Sequence, residues 1–185
     1  MAVMKKIVLT AMCVLCGLML SPALKAQTRI VIIRHGEKQD QNENLSCKGL
    51  NRSLKLTSVL YKKIGVPAAI YVPSLSNGNK TMHSRMFQTI TPFAVKYSVS
   101  INSNFEGTDF AAIAKDIKRR QGTVLLVWNH GNIPALAKAL GIKHQKLSWS
   151  SADFDSMWII TGSGKDKILK ADREGILPGT DCPVF

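Results

Sequence analysis

Two histidines follow short apolar runs and precede glycine. Arg34-His35-Gly36 comes after residues 29–33 (RIVII), and Asn129-His130-Gly131 comes after residues 123–128 (TVLLVW). Runs this short and this continuous suit buried parallel strands better than helices. In open α/β sheets, ligands collect beyond the carboxyl ends of such strands. A glycine there lets the backbone turn sharply and come close to a ligand. Arg85 stands at the start of a helical pattern, where free N–H groups and the helix dipole favour an anion. Two arginines and two histidines converging on one sheet edge repel each other unless an anion lies between them. Phosphate fits, because guanidinium forks pair with its oxygens bidentately. A neutral imidazole at His35 would attack phosphorus and form a phosphohistidine that water hydrolyses. Arg34, Arg85 and His130 would offset charge on the equatorial oxygens.

No HExxH and no carboxylate cluster is present, and Cys13 and Cys16 lie inside the amino-terminal apolar run, so no metal and no other cofactor is expected. Hydrolysis of a poor leaving group calls for a proton donor, typically worth ~10²–10⁴-fold in rate. Glu106, in Asn104-Phe105-Glu106-Gly107, and Glu37, next to the first motif, are the two candidates. His83, two residues before Arg85, is read as a rim residue or a substrate contact. Asn132 either donates to phosphate or caps the helix that follows it.

The elements that must position these groups alternate along the chain. A helix is expected from Ser46 to about residue 63, with Leu50, Leu54, Leu60, Tyr61 and Ile64 on its inner side, ended by Gly65-Val66-Pro67. A strand at 68–72 and a polar loop at 74–82 lead to a helix at 84–97, which Pro92 should kink by clashing with the carbonyl of Gln88. A short strand at 99–102, a helix at 109–120, the strand at 123–128 and a helix at 133–140 come next. Strands at 154–161 and 166–171 close the pattern, joined through Gly162-Ser163-Gly164. Such alternation predicts an α/β fold, a mostly parallel open sheet with helices on both faces.

The chain of 185 residues is long enough for one compact domain. Lys5 and Lys6, an apolar run at 7–20 and small residues at 21–27 read as a secretory signal cut near Ala26. That leaves residues 27–185 as the domain, periplasmic or secreted, with no membrane span after cleavage. The run is shorter than the ~18–20 residues of a spanning helix. Removing residues 1–26 takes three lysines and no acid, so the net charge falls from +13 to about +10, a surface that draws anions toward it. The basic residues are scattered without interleaved aromatics, which argues against a specific nucleic-acid site and leaves a small phosphorylated substrate as the expected partner. Cys47 and Cys182 would be the only cysteines left, and an oxidising compartment permits a disulfide between them. Spacing alone leaves the bond and two free thiols equally open.

With these pieces in place, the sequence resembles the histidine phosphatase superfamily, of phosphoglycerate-mutase-like fold. The resemblance rests on IVIIRHGEK at 30–38, Leu45-Ser46 with Gly49, RMFQTITPFA at 85–94 and VLLVWNHGNIPALAKALG at 124–141. It implies His35 as the phosphorylated nucleophile and Arg34, Arg85 and His130 as the phosphate pocket. It also places Glu106 where the mutase-like branch tends to keep its acid. The likeness is greater to short exported or phosphohistidine-phosphatase-like members than to glycolytic mutases. The asparagine that mutases place after this motif has no clean counterpart in residues 38–44. A non-catalytic phosphate-binding protein of the same fold is the alternative, and a polyanion-binding surface protein is a third reading.

Overall fold

The protein is described by a computed structural model, which covers residues 28–76, 78, 81–143 and 146–183. The signal-like segment and His144 lie outside the described residues. Six strands form one sheet in the order β3-β2-β4-β1-β5-β6. They are β1 (Arg29–Arg34), β2 (Ala69–Pro73), β3 (Ile101–Phe105), β4 (Thr123–Trp128), β5 (Ser156–Thr161) and β6 (Ile168–Arg173). The helices are α1 (Cys47–Ile64), α2 (Ser84–Tyr97), α3 (Phe110–Ile117) and α4 (Ile133–Ala139). The β1–β4, β4–β2 and β2–β3 pairs are parallel, whereas β1–β5 and β5–β6 are antiparallel. The mostly parallel α/β fold expected from the alternation is the one observed.

Strand residues alternate between the two faces of the sheet, and the two cores follow that period. Ile30, Ile32, Val124, Leu126 and Trp128 pack against Ile113 and Ile117 of α3 and Ile133 and Leu136 of α4. Val31, Ile33, Leu125 and Val127 pack against Leu56 and Leu60 of α1 and Met86, Ile90 and Phe93 of α2. Because both faces are covered, β1 is apolar from Ile30 to Ile33 and β4 from Val124 to Trp128, and the polar residues that follow these runs fall at the carboxyl edge.

Several local expectations shift. α1 buries Leu60 and Ile64 as expected, but its inner face is shifted: Leu54 and Tyr61 are exposed, while Arg52, Ser53, Leu56 and Thr57 are buried. The apolar stripe misled because polar partners await those inward positions. Ser53 Oγ donates to the Gln88 carbonyl at 3.0 Å and to the Thr89 carbonyl at 2.8 Å. Gln88 O is the acceptor that Pro92 leaves without its intrahelical donor, so α1 supplies what α2 lacks. β3 starts at Ile101 because Ser98 takes a left-handed φ of 54° and Val99 N donates back to Ala94 O, closing α2 first. β5 starts at Ser156 because the Asp153 carboxylate accepts from Asp155 N, Ser156 N and Ser156 Oγ and holds the preceding residues in a turn.

The Cys47–Cys182 disulfide is present, with the two Cα atoms 4.5 Å apart. It ties the carboxyl-terminal tail to the first turn of α1, and Asn51 Nδ2 donates to Gly179 O and Asp181 O alongside it. Among the described residues no helix is long and apolar enough to cross a membrane.

Candidate active site

Parallel pairing sets Arg34 level with Trp128, and His35 N donates to Trp128 O at 3.0 Å, one rung past the last strand residues. The two histidine motifs therefore leave the sheet side by side. Gly36 N donates to Thr89 Oγ1 at 2.9 Å, and that hydroxyl donates to Arg85 O at 2.6 Å. Thr89 thus fastens the His35 turn to the first turn of α2. A side chain at Gly36 would bring a Cβ within 2.9 Å of Gly49 O, so glycine is needed there for close approach.

His35 is 2 % exposed. Its Nδ1 lies 2.7 Å from Gly36 O, an atom that only accepts, which assigns the ring proton to Nδ1. Nε2 keeps its lone pair and faces Arg85 Nε at 3.3 Å. Burial, offset in part by the Gly36 carbonyl and reinforced by Arg85, Arg34 and His130, pushes the imidazole pKa down to about 3. At neutral pH the ring is an uncharged base among cations, the state a nitrogen nucleophile requires.

Arg34 is buried, and its Nη1 donates to Ser151 O at 2.6 Å and Asp153 O at 3.1 Å. Its guanidinium lies 3.6 Å from the Phe154 ring centroid, an aromatic platform that the Asp153 turn presents. Burial lowers its pKa to about 10, opposed by Asp153, so it stays cationic at neutral pH. Arg34 Nε and His130 Nδ1 are buried nitrogens without a hydrogen-bond partner among the described residues. Burial followed by the charges of Arg34 and Arg85 lowers the His130 pKa, which puts these groups within electrostatic reach of one another. His35, Arg34, Arg85 and His130 are therefore gathered at the sheet edge, and the set offers several donors to an oxyanion.

The remaining expected residues separate. Glu37 turns to α1: both its oxygens take Arg52, from Nε and Nη2, each at 3.0 Å. With its oxygens committed to that pair, Glu37 serves the scaffold instead of supplying a proton. Asn132 makes no cap to α4; its Nδ2 donates to Gly107 O at 3.2 Å, beside Trp128 Nε1 on the same oxygen at 2.9 Å. Asn132 N donates to Asn129 Oδ1 at 3.0 Å. His83 directs Nδ1 to Ser74 O at 2.9 Å, and its ring lies against Gly107. These contacts pin the loop after β3 to the rim, and exposed Glu106 is carried next to them.

The sequence reading missed Glu43, Phe154 and Arg52. Phe154 was read as the first residue of a strand, and Arg52 and Glu43 lay outside every motif. Glu43 bonds Arg85 directly, Oε2 to Nη1 at 2.7 Å. Arg85 keeps its carboxylate in the ionised form, below the usual range despite partial burial. Among the described residues no three His, Cys, Asp or Glu side chains gather as a metal site.

The sequence matches no protein-family model and no curated protein. Solved structures do resemble it. SixA from Agrobacterium tumefaciens, assigned as a phosphohistidine phosphatase, shares 14 % identity at a TM-score of 0.54, over 84 % of this chain and 100 % of that one. A mycobacterial glucosyl-3-phosphoglycerate phosphatase, solved with inorganic phosphate, shares 16 % at 0.52, over 78 % and 95 %. Mycobacterial hydrolase 2 shares 15 % at 0.52, over 86 % and 93 %. At these identities the likeness establishes the fold, which is phosphoglycerate-mutase-like.

Proposed function

We propose that this protein is an exported, metal-independent phosphatase that hydrolyses a small phosphomonoester, or a phosphoramidate, through a phosphohistidine on His35. The observation that carries this reading is the His35 ring: Nδ1 tied to a carbonyl, Nε2 unprotonated, and cations on the side where phosphate would lie. Phosphatases among the solved structures of this fold support it. Export rests on the signal-like amino terminus, and the Cys47–Cys182 bond accords with an oxidising compartment.

In the first step His35 Nε2 forms a bond to phosphorus as the bond to the leaving oxygen or nitrogen breaks. Glu106 hands its proton to that leaving atom. Arg34, Arg85 and His130 hold the three equatorial oxygens. In the second step water attacks phosphorus, the P–N bond breaks, Glu106 takes the water proton, and inorganic phosphate leaves. The pocket also fits a phosphate-binding protein that does no chemistry, and turnover separates the two.

The test is hydrolysis of nitrophenyl phosphate with and without chelator, between pH 4 and 8. Chelator-resistant turnover is expected, and His35→Ala should lose about 10⁴-fold, or about 5 kcal/mol of transition-state stabilisation, while staying folded. Because the imidazole is already neutral above about pH 3, no loss of rate near pH 6.5 should trace to His35. An inactive wild type that still binds vanadate would favour the binding protein. Glu106→Gln should slow alkyl phosphates by ~10²-fold or more and nitrophenyl phosphate much less, since nitrophenolate leaves without a proton. Equal loss on both would remove Glu106 from the donor role.

A further inference from the structure

The four groups at the sheet edge carry positive or neutral charge; Asp153 and Glu37 act on Arg34 through their charge, but among the described residues Glu43 alone makes a direct ion pair with one of the four. Asp153 directs its carboxylate to Ser156 and nearby backbone N–H groups, and Glu37 directs its own to Arg52. Glu43 instead meets Arg85, the cation that lies against the His35 nucleophilic nitrogen. His35 Nε2, Arg85 and Glu43 form a row, with steps of 3.3 Å and 2.7 Å. Glu43 thus holds one arm of the guanidinium that the phosphoryl group is proposed to use.

This carboxylate is built in and does not dangle. His83 N donates to Glu43 Oε2 at 3.2 Å, and Ser84 Oγ donates to Glu43 O at 2.6 Å. Next to it Gln88 takes Leu45 N on Oε1 at 2.9 Å and donates from Nε2 to Asn44 Oδ1 at 2.8 Å. The first two turns of α2 therefore hold residues 43–45 by side chain and backbone together. A phosphoryl group arriving at Arg85 shares it with a fixed negative charge.

We infer that Glu43 sets the substrate class, selecting phosphoryl compounds whose leaving group carries a positive charge over those whose leaving group carries a second negative one. The inference rests on the phosphate pocket proposed above. A carboxylate already neutralises part of Arg85, and Asp153 and Glu37 temper Arg34 from a greater distance, so each further anion on the ligand meets repulsion. An ammonium on the leaving group finds an opposite charge at the rim. At a few ångströms and partial solvent exposure, one such charge difference amounts to roughly tenfold or more in affinity. Glu43 is here a specificity residue; it exchanges no proton and forms no bond to phosphorus.

The experiment is calorimetric binding at pH 7.5 of two unreactive ligands of matched length, 2-aminoethylphosphonate and phosphonoacetate, with ethylphosphonate as the neutral standard. The wild type should bind the aminoethyl compound about tenfold or more tightly than phosphonoacetate. Glu43→Gln should bring the two within about threefold, chiefly by tightening phosphonoacetate, and Glu43→Asp should keep the wild-type order. A wild type without preference, or a Glu43→Gln protein that keeps the full preference, would overturn the inference while leaving the phosphate pocket intact. If the wild type binds none of the three ligands, the pocket reading itself fails, and the specificity with it. Should Glu43→Gln not fold, the wild-type ratio and Glu43→Asp decide, since a reversed order in either sinks the idea.

Discussion

Two arginines lie close to the sheet edge in opposite circumstances. Arg85 has one carboxylate partner, Glu43, and turns Nε to the His35 nitrogen. Arg52, 4 % exposed, has three: Glu37 bidentately, Glu174 at 2.8 Å and Asp155 at 3.9 Å. The first region has positive charge in excess and the second has negative charge in excess. The difference lies in what remains for a ligand: Arg52 is used up by the protein, whereas the cations around His35 keep unmatched donors. Glu37 follows His35 by two residues, yet it belongs to the Arg52 cluster. Neighbourhood in sequence therefore did not decide neighbourhood in chemistry, because the chain passes Gly36 against Gly49 of α1 between the two residues.

Arg52→Met leaves Glu37 and Glu174 buried and unpaired, and should lower unfolding stability by about 3–5 kcal/mol in urea titration. If the two regions are separate, the protein still folded at low denaturant should bind vanadate as the wild type does. Vanadate affinity falling in step with stability would merge them. Glu174 sharpens the contrast. Burial pushes its pKa up to about 8 against the pull of Arg52, so the folded protein holds a proton there that the unfolded chain releases near pH 4.5. The folded state then binds more protons between about pH 4.5 and 8, and this group costs stability as pH rises through that window. Glu174→Gln should therefore raise the melting temperature at pH 8 by several degrees relative to wild type, with little change at pH 4.5. A gain equal at both pH values would mean that Glu174 is charged throughout. The smallest effect is at the seam between α1 and α2. Ser53→Ala leaves Gln88 O and Thr89 O without their side-chain donor and should destabilise by about 1–2 kcal/mol in urea titration.

Most of the fold was legible in the sequence because both sheet faces are covered, which leaves the central strands as unbroken apolar runs. His35 and His130 were legible for the same reason: each is among the first polar residues after such a run. Arg85 was found by its place at a helix start. What escaped was decided by contacts between segments far apart in the chain. Arg52 looked like a solvated helix residue because its partners lie at 37, 155 and 174. Phe154 looked like a strand residue until the Asp153 turn set its ring under Arg34. Glu43 sat in a polar stretch with no periodicity, and only the packing of that stretch on α2 shows what it touches. Asn132 illustrates a subtler limit: its place before α4 was read correctly, but its side chain makes no cap and donates from Nδ2 to Gly107 O, a partner on a distant loop.

The central strand has a consequence for biosynthesis. β1 is nearly the first element made, yet its two neighbours are β4 and β5, whose residues emerge about 90 and 125 positions later. Until residue 123 is available, the run from Ile30 to Ile33 has no partner, and Arg52 waits for Glu174 almost to the end of the chain. The tail that carries Cys182 is the last piece to close on α1. The central pairing of the sheet, and the burial of the charges around Arg52, are thus deferred until most of the chain has been made.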